Sequence, residues 1–154
     1  FVNSAGGNLL IAGGPDVSDD LRSLANTCGI EYEGPGATVV DPEHTVELSD
    51  GTTALCGGPD CILLPTEATI GMQLDGHNDL VLATLRGSTT AESHEPTSTH
   101  SRVRQLGEEL VLTAQLRAIN GARLTFTGSR QMFRNKFLLP HSTEEESPSS
   151  RMSR

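Results

Sequence analysis

The chain has 154 residues, a net charge of −9, 3% aromatic residues and no Trp, so it has room for one domain whose core must rest on Leu, Val, Ile and Ala. Most of its 11 basic residues are scattered arginines, which argues against nucleic acid and against an anionic membrane surface, since both call for clustered positive charge. No run approaches the ~20 continuous apolar residues of a membrane span, no basic-then-apolar leader opens the chain, and Phe1 in place of Met leads us to expect preceding sequence.

Leu9 to Ala12 is a short apolar run between glycines, which predicts a strand buried on both faces of a parallel sheet. Gly13-Gly14-Pro15-Asp16 breaks it, and Ser18 is placed to cap a helix with Asp19 and Asp20 in its first turn. Leu21, Leu24, Ala25 and Cys28 form one apolar stripe, ended by Gly29. Ala37 to Val40 reads as the next buried strand, which makes a right-handed βαβ unit and an α/β fold. Asp41 to Gly58 is polar, with at most a weak edge strand at Thr45 to Leu48, and Cys61 to Leu64 is a compact strand stopped by Pro65. Thr69 to Leu74 and Leu80 to Leu85 are further strands, the second read as buried. Ser88 to Leu106, dense in Ser, Thr, Glu, His and Pro, predicts a long exposed loop. Glu109 to Leu116 alternates as a strand, with Leu110, Leu112, Ala114 and Leu116 on one side; Asn120-Gly121 then turns the chain into an antiparallel neighbour at Leu124 to Thr127. Gly128-Ser129 is placed to cap a last helix through Phe137, with Met132, Phe133, Phe137 and Leu138 inward, and from His141 onward no apolar period remains, which predicts a disordered tail.

The chain offers little chemistry. Gly13-Gly14 lacks the rest of a dinucleotide or Walker motif, and Asp16, Asp19 and Asp20 put negative charge where a phosphate would sit. Ala54-Leu55-Cys56-Gly57-Gly58 resembles half of a nucleophile elbow, but no helix pattern follows it. Cys56 and Cys61 suit either a short disulfide or two thiols at strand ends, and Cys28 reads as a buried, inert thiol. Asn26-Thr27-Cys28 is a rare Asn-x-Cys sequon, expected to stay unmodified because Cys28 is buried in the helix. His44, His77, His94, His100 and His141 lie in polar or turn segments, and no four ligands have the spacing of a metal site.

Several blocks in one order carry a more specific signal. Phe1-Val2-Asn3 with Gly6-Gly7-Asn8-Leu9-Leu10-Ile11-Ala12, Leu21-Arg22-x-Leu24 and Cys28-Gly29-Ile30-Glu31-Tyr32 are followed by Gly71-Met72 and by Asn78-x-Leu80-Val81-Leu82 through Gly87-Ser88-x-Thr90. Gln115-Leu116-Arg117-Ala118-x-Asn120-x-Ala122-Arg123 then leads to Phe126-x-Gly128-Ser129 and Phe133. From Phe1 to about Leu138 the chain resembles the 48 kDa, Wbp-type subunit family of oligosaccharyltransferase.

The resemblance implies a non-catalytic scaffold subunit of the endoplasmic reticulum complex that transfers oligosaccharide from dolichyl diphosphate to Asn in Asn-x-Ser/Thr sequons. It implies a partial three-layer α/β sheet like the class I glutamine amidotransferase-like (flavodoxin-like) domains. The domain organisation expected from it is an incomplete lumenal domain over 1–139, with an interior loop at 88–106 and a tail at 140–154. No catalytic, cofactor-binding or metal residue is carried over, and no small-molecule substrate. The implied partners are the catalytic and accessory subunits, and the implied location is the lumenal face of the endoplasmic reticulum membrane, reached through a C-terminal membrane helix absent from this chain. Missing early strands would leave an unpaired sheet edge and exposed apolar faces, and hence a piece unstable alone. Beside this reading stand an amidotransferase-like thiol hydrolase using Cys56 and a free-standing soluble interaction domain.

Overall fold

The computed structural model describes residues 7–48, 50–57, 62–76, 79–96, 101–134 and 137. The expected tail at 140–154 lies outside them. Ser18, in extended conformation, caps the helix as its sequence predicts: its Oγ accepts from the Leu21 amide at 3.4 Å. The helix that follows, α1 (Asp19–Thr27), ends with Gly29 at φ +76°. Its buried stripe is narrower than the spacing suggested, because Ala25 is fully buried, Leu21 and Cys28 pack at the margin, and Leu24 is 46% exposed. Cys28, expected buried in the helix, is instead the C-cap just past it and is half-buried, and partial burial pushes its thiol up.

Around this helix the chain lays down β1 (Leu9–Ala12), β2 (Ile30–Tyr32), β3 (Thr38–Val40), β4 (Thr45–Glu47), β5 (Thr53–Gly57) and β6 (Ile62–Pro65). Next come β7 (Met72–Leu74), β8 (Val81–Arg86), β9 (Glu92–Pro96), β10 (Ser101–Leu106), β11 (Val111–Arg117) and β12 (Arg123–Thr127). The result is α/β with a mixed main sheet, in the order β1-β12-β11-β7-β2, with β8 also on β11. Two smaller sheets, β10-β9-β3 and β4-β5-β6, lie beside it.

The predicted βαβ unit is not formed. β1 is parallel only to β12, far along the chain, while β3 joins β9 in another sheet and β2 is reached through antiparallel pairings. Among the described residues β1 is therefore an edge strand, and Leu9 and Leu10 are exposed rather than buried on both faces. β8 is likewise more open than its apolar run implied, with Leu80 and Leu82 exposed.

Residues 88–106, expected as a loop, hold the antiparallel β9–β10 pair, with a register shift between Val103 and Gln105. The two strands pair, and β9 adds polar burial: Ser93 is fully buried and donates its hydroxyl to Glu33. Apolar alternation therefore never signals them. Where the last helix was expected to begin, the described chain forms a short 3-10 turn, Gln131–Phe133, with Phe133 40% exposed; residues 135, 136 and 138 lie outside the described residues.

Two cores result. The first gathers Ile11, Ala25, Ile30, Tyr32, Ile70, Met72 and Phe126 beneath α1, and the second joins Val39, Leu55, Leu64, Ala91, Leu110 and Leu112 across the sheets. A register shift between Val111 and Thr113 decides their boundary, since it sends Val111 with Ala114 and Leu116 into the first core and Leu112 into the second. Strict alternation had put Leu110, Leu112, Ala114 and Leu116 on one side. The β11–β12 hairpin itself matches the sequence: Gly121 has φ +81°, and Asn120 Oδ1 accepts from the Ala122 amide at 3.1 Å.

Tyr32 gives the first core a direct probe. It is 4% exposed, and its hydroxyl donates to the Thr127 carbonyl at 3.2 Å. Burial pushes the phenol up to about 12 from its ordinary 10.0, against the opposing charge of Arg22. The buried neutral phenol thus contributes stability that is present below the ordinary value and lost as pH rises through about 12. Tyr32 is the only Tyr and there is no Trp, so tyrosinate absorbance should stay absent at pH 10 and appear together with alkaline unfolding followed by circular dichroism.

Candidate functional site

The glycine turn after β1 serves packing, not phosphate. A Cβ on Gly13 would come within 2.8 Å of the Tyr32 ring, and the Gly13 amide already donates to the Thr127 carbonyl at 2.8 Å. Arg130 closes the same corner, its amide donating to the Gly13 carbonyl at 2.8 Å and its guanidinium pairing with Asp16 at 2.7 Å. Behind it, the helix N-terminus is occupied by its own Ser18 cap and flanked by Asp19 and Asp20. No cradle for an anion is left there.

Among the described residues no thiol site assembles either. A nucleophile elbow needs a strand running into a helix, whereas Cys56 lies in β5, which pairs antiparallel with β6, Cys56 opposite Leu63. Cys61, and with it the disulfide alternative, lies outside the described residues, as do His77, His100 and His141. The two described histidines are engaged elsewhere: His44 Nδ1 lies 3.4 Å from Asp41 Oδ1 and 3.3 Å from Thr90 Oγ1, and His94 Nε2 lies 3.0 Å from Glu92. Among the described residues no group of three or more His, Cys, Asp or Glu could hold a metal ion. One cleft of about 430 Å³ between the end of α1 and β2–β7 is lined by Asn26, Glu31, Gln73 and Asp75, with no Cys or His in its lining.

What the buried polar residues do build is two junctions. Asp41, 4% exposed, follows β3 and accepts from two amides and two hydroxyls beside the His44 ring. Its Oδ1 takes the Glu43 amide at 3.2 Å, the His44 amide at 3.1 Å and the Thr90 hydroxyl at 2.7 Å, while Oδ2 takes the Ser88 hydroxyl at 2.6 Å. Burial pushes this carboxyl up, but the Ser88 and Thr90 hydroxyls and the two amides outweigh it and hold it below the ordinary value. One carboxylate thereby ties the end of β3, the approach to β4 and the turn between β8 and β9, which belong to three different sheets. Glu33, 3% exposed, forms the second junction: it follows β2, accepts from Ser93 of β9, and through its backbone receives Arg22 of α1 and donates to the Gly71 carbonyl at 3.0 Å. Neither junction was singled out from sequence. Ser88 and Thr90 stood only inside a block of family resemblance.

The remaining feature is surface. At the hairpin end of the main sheet Leu10, Leu80 and Leu82 are about half exposed and Ile119 is fully exposed. These residues lie on or beside β1, β8 and the tip of the β11–β12 hairpin.

The profile of the family described as "OST48, N-terminal domain" matches residues 1–152. The chain belongs to that family. Curated relatives agree: it is 34% identical to the dolichyl-diphosphooligosaccharide–protein glycosyltransferase 48 kDa subunit of Danio rerio over 86% of this chain and 33% of that protein. Against the subunit of the same name from Caenorhabditis elegans it is 32% identical over 89% of this chain and 34% of the relative, and against that of Drosophila melanogaster 34% over 86% and 33%. The chain thus spans about a third of the length of these relatives. In this OST48 N-terminal domain the resemblance blocks fall on structural positions: Gly71 beside Glu33, Ser88 and Thr90 on Asp41, and Gly128 against Ile70.

Proposed function

We propose that this chain is part of a non-catalytic scaffold subunit of the oligosaccharyltransferase complex, supporting oligosaccharide transfer from dolichyl diphosphate to Asn in Asn-x-Ser/Thr sequons. The observation that carries this reading is the family match over residues 1–152, together with relatives that are 48 kDa subunits of that glycosyltransferase. A fold whose buried polar groups join sheets, and whose apolar surplus lies on the surface, fits a part that holds other proteins. In this reading residues 1–139 form a lumenal domain and 140–154 its tail. The partners are the catalytic and accessory subunits, and the anchor in the endoplasmic reticulum membrane is supplied elsewhere in the full-length protein; among the described residues no helix is long and apolar enough to cross a membrane. The fold is a modified relative of the amidotransferase-like α/β class, a view supported by the strand-turn-helix opening and the parallel β1–β12 pair.

The test is purification of the full-length protein from microsomes in mild detergent, with sequon glycosylation assayed after depletion. Co-purification of the catalytic subunit and a fall in glycosylation are expected. Cys56→Ser should restore glycosylation to the wild-type level in depleted cells. A protein that purifies alone, with glycosylation intact after depletion, would remove the scaffold reading, and loss of rescue by Cys56→Ser at normal protein level would remove its non-catalytic character.

A further inference from the structure

One arrangement on the main sheet is unfavourable for the fold itself. Arg117 of β11 and Arg123 of β12 are direct cross-strand partners, and both are exposed. Like charges placed opposite one another destabilise an antiparallel pair. Among the described residues neither guanidinium has an ion pair or a hydrogen bond, although the chain carries 20 acidic residues to 11 basic ones.

Side-chain alternation puts Arg117 on one face with Gln115, and Arg123 with Thr125. The Gln115 Nε2 donates to Thr125 Oγ1 at 3.3 Å, which fixes that face. The register carries the row outward to Leu10 of β1 and Ala83 of β8, both exposed, while Leu116 and Leu124 point to the opposite face and the first core. The open face is therefore a four-strand row with apolar ends, beside two guanidiniums that no carboxylate among the described residues answers.

We propose that this face docks an acidic segment of a partner polypeptide, its carboxylates taken by Arg117 and Arg123 and its apolar side chains lying on Leu10 and Ala83. The planar donors of arginine match a carboxylate in two-pronged geometry. Two guanidiniums on a chain of net charge −9 are too few for nucleic acid or an anionic bilayer, and the flanking Leu10 and Ala83 ask for side chains rather than phosphates. The identity of the partner as another subunit rests on the scaffold reading, but the surface itself does not.

The full-length protein would be titrated with a labelled short peptide alternating Glu and Leu, and with matched Lys–Leu and Gln–Leu peptides, by fluorescence anisotropy. The acidic peptide should bind best and slow hydrogen exchange in β8, β11 and β12. Arg117→Glu with Arg123→Glu should weaken it at least about tenfold and favour the Lys–Leu peptide, with Arg117→Gln/Arg123→Gln as the milder pair should the reversal disturb folding. Arg123→Glu alone replaces repulsion by attraction, so it should slow exchange in the empty hairpin while losing the peptide. Equal binding of the three peptides, binding undiminished in both double variants, or competition by anionic vesicles for the same strands would overturn the proposal. Peptide binding intact in a protein that fails to co-purify with the complex would count against the scaffold reading and not against this surface.

Discussion

Gly128→Ala is expected to destabilise the domain by at least about 3 kcal/mol, a large part of the total for a domain of this size. The backbone dihedral is not the cause, since Gly128 does not have positive φ. The cause is a neighbour. A Cβ there would overlap the Ile70 carbonyl oxygen and lie 3.1 Å from the Ile70 carbonyl carbon. Neither backbone can yield cheaply, because the Ile70 amide donates to the Gly128 carbonyl at 2.9 Å and the Gly128 amide to the Leu112 carbonyl at 2.9 Å. Ile70 is itself fully buried in the first core, and the adjacent Thr69 carbonyl receives the Val39 amide at 2.9 Å. Relief at one contact therefore breaks another. Gly121→Ala is the control: nothing lies within 4 Å of an added Cβ, so only the strain of φ +81° remains, about 1 kcal/mol. Urea denaturation of both variants checks the difference, and equal losses would show that the approach of Ile70 to Gly128 is not rigid.

Gly128 also shows where sequence reading stops. It was expected to open a helix, because a glycine before Ser, Met and Phe suits a cap, whereas its actual role depends on Ile70, nearly sixty positions earlier. Features set within a few residues were legible: the Ser18 cap, the Gly29 stop, the Asn120-Gly121 hairpin, and the β6 strand before the turn at Thr66. Features set by distant partners were not. The apolar run Leu9 to Ala12 announces a strand but cannot say that β12 is its one neighbour among the described residues, and so cannot say that Leu10 faces water. Residues 92–96 failed for a different reason: their burial is of Ser93 against Glu33, and no hydrophobic period records a hydrogen bond between residues sixty positions apart. The family resemblance was more informative than periodicity, yet it named residues such as Ser88, Thr90 and Arg117 without giving them a task.

Asp41→Asn is the second change with a large expected effect, a loss of about 2–3 kcal/mol at neutral pH, because at least one of four donors would then face an amide nitrogen instead of an oxygen. Three sheets loosen at once, since the Ser88 and Thr90 hydroxyls and the Glu43 and His44 amides all converge on this group. The pH dependence follows from the same bonds. The carboxyl titrates below its ordinary value of 3.8 in the fold, so its contribution is fully present above that value and is lost as pH falls through the lower, folded one. Wild-type protein should therefore lose more stability than Asp41→Asn between neutral pH and about pH 3, and the gap between them, read from urea midpoints, should narrow with acid. A gap that stays constant down to that pH would mean that the charge on Asp41 contributes nothing, and that the junction is held by the hydroxyls alone.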